Sequence, residues 1–286
     1  MTWRFQIEAE EDANSYEASA NCAEDAMMDE RPAQMVTRVE FDDTFVFVPL
    51  GGNLLPLRRW EYEHRPSSRD LFRTVFEAAA LSRPIRLLCL LSGDETDLLN
   101  GVEVTLNGQR LEEWQPGRRL DRAVFELDIS RVVQPGPNEV IFLSGSAGGL
   151  SGKSFWVEGD FIVRRIDEDE VLFPPDHAIC LGSWTSQGYP YYWGSAIYRQ
   201  RVEIPETMRY RRFFVRFQSI GDPVEICVNG TKVGTLDSPP WESDVTDVVV
   251  FGENKFEFAI DNSSQNAFGE SPGASGLLRP VVLEAR

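Results

Sequence analysis

The chain has 286 residues, 42% apolar and 11% aromatic, which excludes a disordered polypeptide and gives length for one large or two ordinary domains. Its 46 acidic against 28 basic residues leave a formal charge of -18, a balance that repels phosphate backbones and anionic bilayers and so argues against nucleic-acid and membrane partners. No run approaches the apolar length of a bilayer span, and Met1-Thr2-Trp3-Arg4-Phe5 lacks the basic-then-apolar pattern of a secretory signal. As written, the chain is expected to be cytoplasmic, or extracellular if it comes from a longer precursor.

Residues 1–40 are acidic and rich in small side chains, with a weak apolar stripe at 18–28, and read as a poorly ordered lead-in or the remnant of something attached upstream. From Phe41 the texture changes. A first module over 41–165 carries strand patterns at 45–48, 71–77, 85–91, 102–106, 124–129 and 139–143. A second over 166–286 carries them at 196–204, 212–217, 224–228, 245–250 and 255–260. Many short strands with regular Gly, Pro and Asn punctuation predict an all-β sandwich or barrel. Cys22, Cys89, Cys180 and Cys227 have no CxxC spacing and read as buried thiols. His64 and His177 have no nearby ligand pair for a metal.

An internal repeat is the strongest feature. Val102-Glu103-Val104-Thr105-Leu106-Asn107-Gly108 matches Val224-Glu225-Ile226-Cys227-Val228-Asn229-Gly230 at an offset of 122 (229 − 107). Leu127-Asp128-Ile129-Ser130 matches Ser243-Asp244-Val245-Thr246, and Gly136-Pro137-Asn138 matches Gly252-Glu253-Asn254, both at 116 (244 − 128). Upstream, 72–77 matches 198–203 at 126 (198 − 72). Four landmarks in one order indicate two copies of one module joined near 160–180.

Asn-Gly between alternating apolar residues is a hairpin signal, because both residues tolerate positive φ. Asp128 and Asp244 open Asp-Ile/Val-Ser/Thr segments whose carboxylates suit backbone N–H groups at a turn; a calcium ligand is the other reading of the same oxygens. Asn138 and Asn254 follow a glycine and read as turn residues launching a strand.

Taken together, Tyr198-Arg199, Val202-Glu203, Val228-Asn229-Gly230, Asp244-Val245-Thr246 and Gly252-Glu253-Asn254-Lys255-Phe256 resemble the sugar-binding domain of glycoside hydrolase family 2. Leu181-Gly182-Ser183-Trp184 with the run from Gln187 to Gly194, Asn53-Leu54-Leu55-Pro56-Leu57, and Val157-Glu158-Gly159-Asp160-Phe161 look closer still to the C-terminal accessory region of large α-L-rhamnosidase-like hydrolases (glycoside hydrolase family 106). The resemblance covers about residues 41–286. It implies two tandem galactose-binding-like jelly-roll β-sandwiches, a carbohydrate ligand, and a glycoside hydrolase catalytic domain or subunit as partner. The catalytic carboxylates of such enzymes sit in a separate upstream domain, which this chain has no room for.

The residues themselves leave three functions open: a non-catalytic carbohydrate-binding accessory module, a structural module bracing a separate catalytic subunit, and a glycoside hydrolase acting alone. The last needs two carboxylates across a cleft; Asp160, Asp222 and Glu225 are candidates that no spacing pairs. Gly145-Ser146-Ala147-Gly148-Gly149 lacks the strand-to-helix setting of a nucleophile elbow and the lysine of a phosphate loop. A sugar ring offers a C–H face to stack and hydroxyls to bond. The aromatic run predicts Tyr191, Tyr192 and Trp193 as a ligand platform, with Trp184 and Tyr189 as packing. Trp241 would stack as well, with Asn262, Gln265 and Asn266 bonding hydroxyls on the same rim. Trp114 and Trp156 are the looser aromatics of the first module.

Overall fold

The computed structural model describes residues 36–65, 69–90, 101–119, 122–145, 150, 154–209, 211–263, 265–268 and 272–286. Most of the acidic lead-in, Cys22 and the loop residues 146–149 lie outside them. The strands are, in chain order, β1 (Thr37–Glu40), β2 (Thr44–Pro49), β3 (Asn53–Pro56), β4 (Glu61–Glu63), β5 (Asp70–Ala78), β6 (Ile85–Leu90), β7 (Glu103–Leu106), β8 (Gln109–Leu111), β9 (Gln115–Arg119), β10 (Arg122–Asp128) and β11 (Gly136–Ser144). They continue with β12 (Ser154–Gly159), β13 (Ile162–Ile166), β14 (Asp169–Phe173), β15 (Ala178–Cys180), β16 (Ser195–Ile204), β17 (Phe213–Phe217), β18 (Val224–Val228), β19 (Thr231–Leu236), β20 (Glu242–Asp244), β21 (Gly252–Asp261) and β22 (Val281–Ala285). Among the described residues the one α-helix is the four-residue α1 (Gln265–Phe268); the rest is strand, turn and short 3-10 segments.

Two sheets enclose each of two apolar cores. The first core, with Leu87, Phe142, Phe155 and Val157, lies between β3-β12-β6-β10-β9 and β13-β14-β5-β11-β7-β8. The second, with Phe45, Tyr198, Phe256 and Leu283, lies between β1-β22-β17-β20 and β15-β2-β16-β21-β18-β19. Strict alternation builds these walls. On β21, Asn254, Phe256, Phe258 and Ile260 are buried while Glu253, Lys255 and Asp261 reach solvent. The period of two places every second side chain on the core face.

The repeat runs through the ladders. β5 pairs with β11 as β16 pairs with β21. At the hairpins, Asn107 and Asn229 both have φ 52, and the glycines after them have φ 77 and 81, as an Asn-Gly turn with both residues left-handed requires. Asn138 and Asn254 do more than turn the chain. Each is fully buried, and its amide closes a loop. Asn254 Oδ1 accepts from Val250 N and Asn229 Nδ2, and its Nδ2 donates to Val250 O and Gly252 O. Asn138 repeats this set with Gln134, Gly136 and Asn107.

Two sequence expectations are displaced. The sheets cross the expected 165/166 boundary in both directions. β1 and β2 pair with β22 and β16, because Phe41, Phe45 and Phe47 fill the second core; the hairpin β13–β14 lies against β5 of the first sandwich. Residues 245–250 form a turn rather than a strand, with Val248 N and Val249 N both donating to Val245 O. Asp244 starts that turn by accepting from Thr246 N at 3.0 Å and Thr246 Oγ1 at 2.5 Å, as Asp128 does with Ser130. This capping overrides the strand propensity of the valines.

Candidate functional site

The aromatic segment after β15 folds inward. Ser183 caps a 3-10 turn, Trp184–Ser186, by accepting from Thr185 N. Trp184 and Tyr189 then pack against Phe47 in the second core, as predicted. Tyr192 does so too, against expectation. It is fully buried, edge-on to Trp184, and its hydroxyl donates to Ser195 O at 2.5 Å while accepting from Gly51 N at 3.3 Å. Burial raises its pKa to about 12. Tyr191 turns the other way into the first core. Its hydroxyl donates to Glu170 Oε1 at 2.6 Å, and Arg58 lies 5.0 Å over its ring. Neither ring is a platform, because this segment supplies packing to both cores at once.

Asn262 and Asn266 are not on a rim with Trp241. Asn262 is buried, accepting from Gly194 N at 2.9 Å and donating to Tyr192 O at 2.7 Å, so it tethers the loop that carries Trp193. Asn266 is buried between Gly273 N and Ser275 Oγ. Buried amides must satisfy their donors and acceptors internally, which takes both away from any hydroxyl. Gln265 is exposed at the start of α1. Trp241 lines a different hollow from Trp193.

Trp193 faces an apolar-floored cavity beside Glu158. It is half-buried beside a hollow of about 220 Å³ on the face of β3-β12-β6-β10-β9 turned away from the first core. Leu88, Leu90, Val124 and Trp156 form the floor. Leu50–Gly52 and Trp193–Ser195 form one wall, and Arg118 and Arg119 of β9 the other. Buried Glu158 lies at the end of the floor. It accepts from Arg119 Nε and Nη2, both at 2.6 Å, and Arg86 Nη1 approaches to 3.4 Å. Arg119 Nη2 also donates to Glu126 Oε2 at 2.7 Å. The arginine pKa is raised above its ordinary value, chiefly by the hydrogen bonds to Glu158. Gly52 lets the wall close in, since a Cβ there would lie 2.6 Å from Glu158 Cγ.

A search of protein families finds no family model that matches the chain, and no curated protein matches it. Among solved structures, a rhamnosidase from Novosphingobium sp. PP1Y is similar over 88% of this chain and 25% of its own, at 16% identity and a TM-score of 0.35. A beta-glucuronidase from an uncultured Clostridium sp. is similar over 44% and 27%, at 20% identity and 0.31. One from Bifidobacterium dentium, complexed with coumarin-3-O-glucuronide, is similar over 44% and 29%, at 18% and 0.32. The chain thus spans less than a third of the length of each.

Arg119, Glu126 and Glu158 are the residues that sequence reasoning missed. Glu158 was legible as a charge in an apolar run, Phe155-Trp156-Val157-Glu158-Gly159, that recurs as Val281-Val282-Leu283-Glu284-Ala285. Chemically, the arrangement is a pair of carboxylates joined by a guanidinium. Paired-carboxylate hydrolysis needs one protonated group to donate to the leaving oxygen. Here Arg119 donates to both, and both carboxylates act as acceptors. Asp160, Asp222 and Glu225 line no common hollow among the described residues. Nor do three or more His, Cys, Asp or Glu side chains among them gather as a metal-ligand set, and no helix among them is long and apolar enough to cross a membrane.

Proposed function

We propose that the chain is a non-catalytic carbohydrate-binding accessory module of a glycoside hydrolase system, built from two galactose-binding-like jelly-roll sandwiches, and that the Trp193 hollow takes one sugar residue. The observation that carries this is the placement of the Trp193 indole beside Arg119 and Glu158, over an apolar floor, in a space of about 220 Å³. An indole suits the C–H face of a pyranose, and a guanidinium with a carboxylate suits neighbouring hydroxyls. Asn262 supports the reading by fixing the backbone on both sides of Trp193. The test is binding of the purified chain to a panel of plant and bacterial polysaccharides and to L-rhamnose and D-galactose. Saturable monosaccharide binding that Trp193→Ala abolishes is the expected result; a chain that binds no glycan refutes it.

A second reading, a module bracing a separate catalytic subunit, draws on the exposed Val46 and Leu50 at the rim of this region. Retention of a hydrolase by the wild-type chain, lost in Val46→Ser with Leu50→Ser, would favour it.

A further inference from the structure

Glu158 has a counterpart in the other sandwich. On β12, Glu158 faces Arg86 and Trp156 faces Leu88; on β22, Glu284 faces Phe214 and Val282 faces Arg216. Across the sheet, Leu88 faces Glu126 of β10, and Arg216 faces Glu242 of β20. The registers therefore put Glu284 in the place of Glu158 and Glu242 in the place of Glu126. The bridging guanidinium recurs from a new position. Arg286 Nη2 lies 2.7 Å from Glu284 Oε2 and 2.8 Å from Glu242 Oε2, with its plane 4.5 Å over the Phe214 ring. Arg38 and Arg216 each reach Glu284 Oε1 at 3.3 Å.

The same face that is roofed in the first sandwich is open in the second. Between its Asn-Gly turn and its Asp-Ile/Val turn the first copy has six more residues, the difference between offsets of 122 and 116. There it forms β9, which brings Arg118 and Arg119 over the sheet. In the second sheet β20 is the edge strand, and a groove of about 750 Å³ runs across the face, walled by Pro239, Pro240 and Trp241.

We propose that this groove is a second carbohydrate site, and that its open form takes an internal stretch of a neutral polysaccharide, where the Trp193 hollow takes a single residue. Trp241 supplies the stacking ring, and the exposed guanidinium edges of Arg38 and Arg216 bond hydroxyls. The glycan is neutral because Glu284 already engages both arginines, Glu242 is taken up by Arg286, and the chain's charge of -18 opposes an anionic one. The inference rests on the sugar-binding reading of the first hollow.

The test is calorimetric titration of the full chain with L-rhamnose, D-galactose and neutral tetrasaccharides from a galactan, a mannan and a xylan. A tetrasaccharide is expected to occupy two places on the wild-type chain. Trp241→Ala should leave one place and weaken polysaccharide binding about tenfold, while Trp241→Phe keeps both. Arg38→Ala, at an exposed side chain, should weaken the same place without touching the core. Loss of all binding in Trp193→Ala would overturn the second site and leave the first standing, as would unchanged stoichiometry and affinity in Trp241→Ala and Arg38→Ala. A wild-type chain that takes up none of these sugars overturns both.

Discussion

Arg119 holds Glu158 with both arms of its guanidinium, Nε on Oε1 and Nη2 on Oε2, each at 2.6 Å. The two partners are unequally buried, with side-chain exposures of 27% for the arginine and 7% for the glutamate. Removing either one therefore has unequal cost. Arg119→Ala strands a buried carboxylate with only Arg86 nearby and should cost about 3 kcal/mol; Glu158→Ala leaves a guanidinium that still reaches Glu126 and solvent, and should cost about 1–2 kcal/mol. Urea unfolding of the two variants reads the difference, and equal losses would contradict the account of burial.

Gly52→Ala tests the same place from the wall. The added methyl would meet Glu158 Cγ at 2.6 Å and Gly159 N at 3.2 Å. The glutamate must swing away from Arg119, so sugar affinity should fall along with stability. A variant with unchanged affinity for a sugar that the wild type binds would separate Glu158 from the site.

Acid should loosen the sandwiches through a defined set of carboxylates. Burial pushes the Glu284 carboxyl up, but hydrogen bonding from Arg286 and the charges of Arg286 and Arg216 outweigh it and hold it below its ordinary value. Asp128 and Asp244 are also lowered, first by the hydroxyls of Ser130 and Thr246. In each case the folded state binds the proton more weakly than the unfolded chain. The stabilisation is complete above the ordinary carboxylate range of about 4 and is lost as pH falls through the depressed folded values. Urea midpoints between about pH 7 and pH 3 should drop mainly below about pH 4.5, and Glu284→Gln should flatten that drop.

Asn254→Ala should be among the costliest single changes outside the apolar cores. It opens a cavity, strands Val250 N and the carbonyls of Val250 and Gly252, and takes one of the two acceptors of Asn229 Nδ2, which keeps Val248 O. Loss of about 3 kcal/mol is expected from groups left unpaired in a buried site. Thermal unfolding checks it, and Asn138→Ala should match it closely, since that side chain makes the same set of bonds.

The fold was legible where the chain's pattern is local. Alternation gave β5, β11, β16 and β21, and Asn-Gly gave both hairpins, because period and turn chemistry are properties of adjacent residues. The site was less so. Tyr191, Tyr192 and Trp193 are consecutive, yet the first enters the first core beside a hollow shared with Arg58, the next enters the second core, and the third borders the hollow of Glu158. That division is set by long-range partners such as Asn262 and Gly51, which no window around position 192 contains. The same limit hid Arg119, whose partner lies 39 residues away across two strands.

The pairing of Thr37 with Ala285 has a consequence for synthesis. The strands at 37–49 belong to the same sandwich as those at 178–285, so the first sandwich is a guest threaded into its host. Emerging from the ribosome, the guest can close as soon as its own strands are out, whereas the host must hold β2 until β15 and β16 are made and β1 until residue 285 is made. A deletion cut at position 165 would leave that host without β1 and β2, and its phenylalanines at 45 and 47 exposed on the discarded piece. The workable excision instead begins after β2 and ends before β15, releasing every strand of the guest while Tyr191 of its core stays behind on the host.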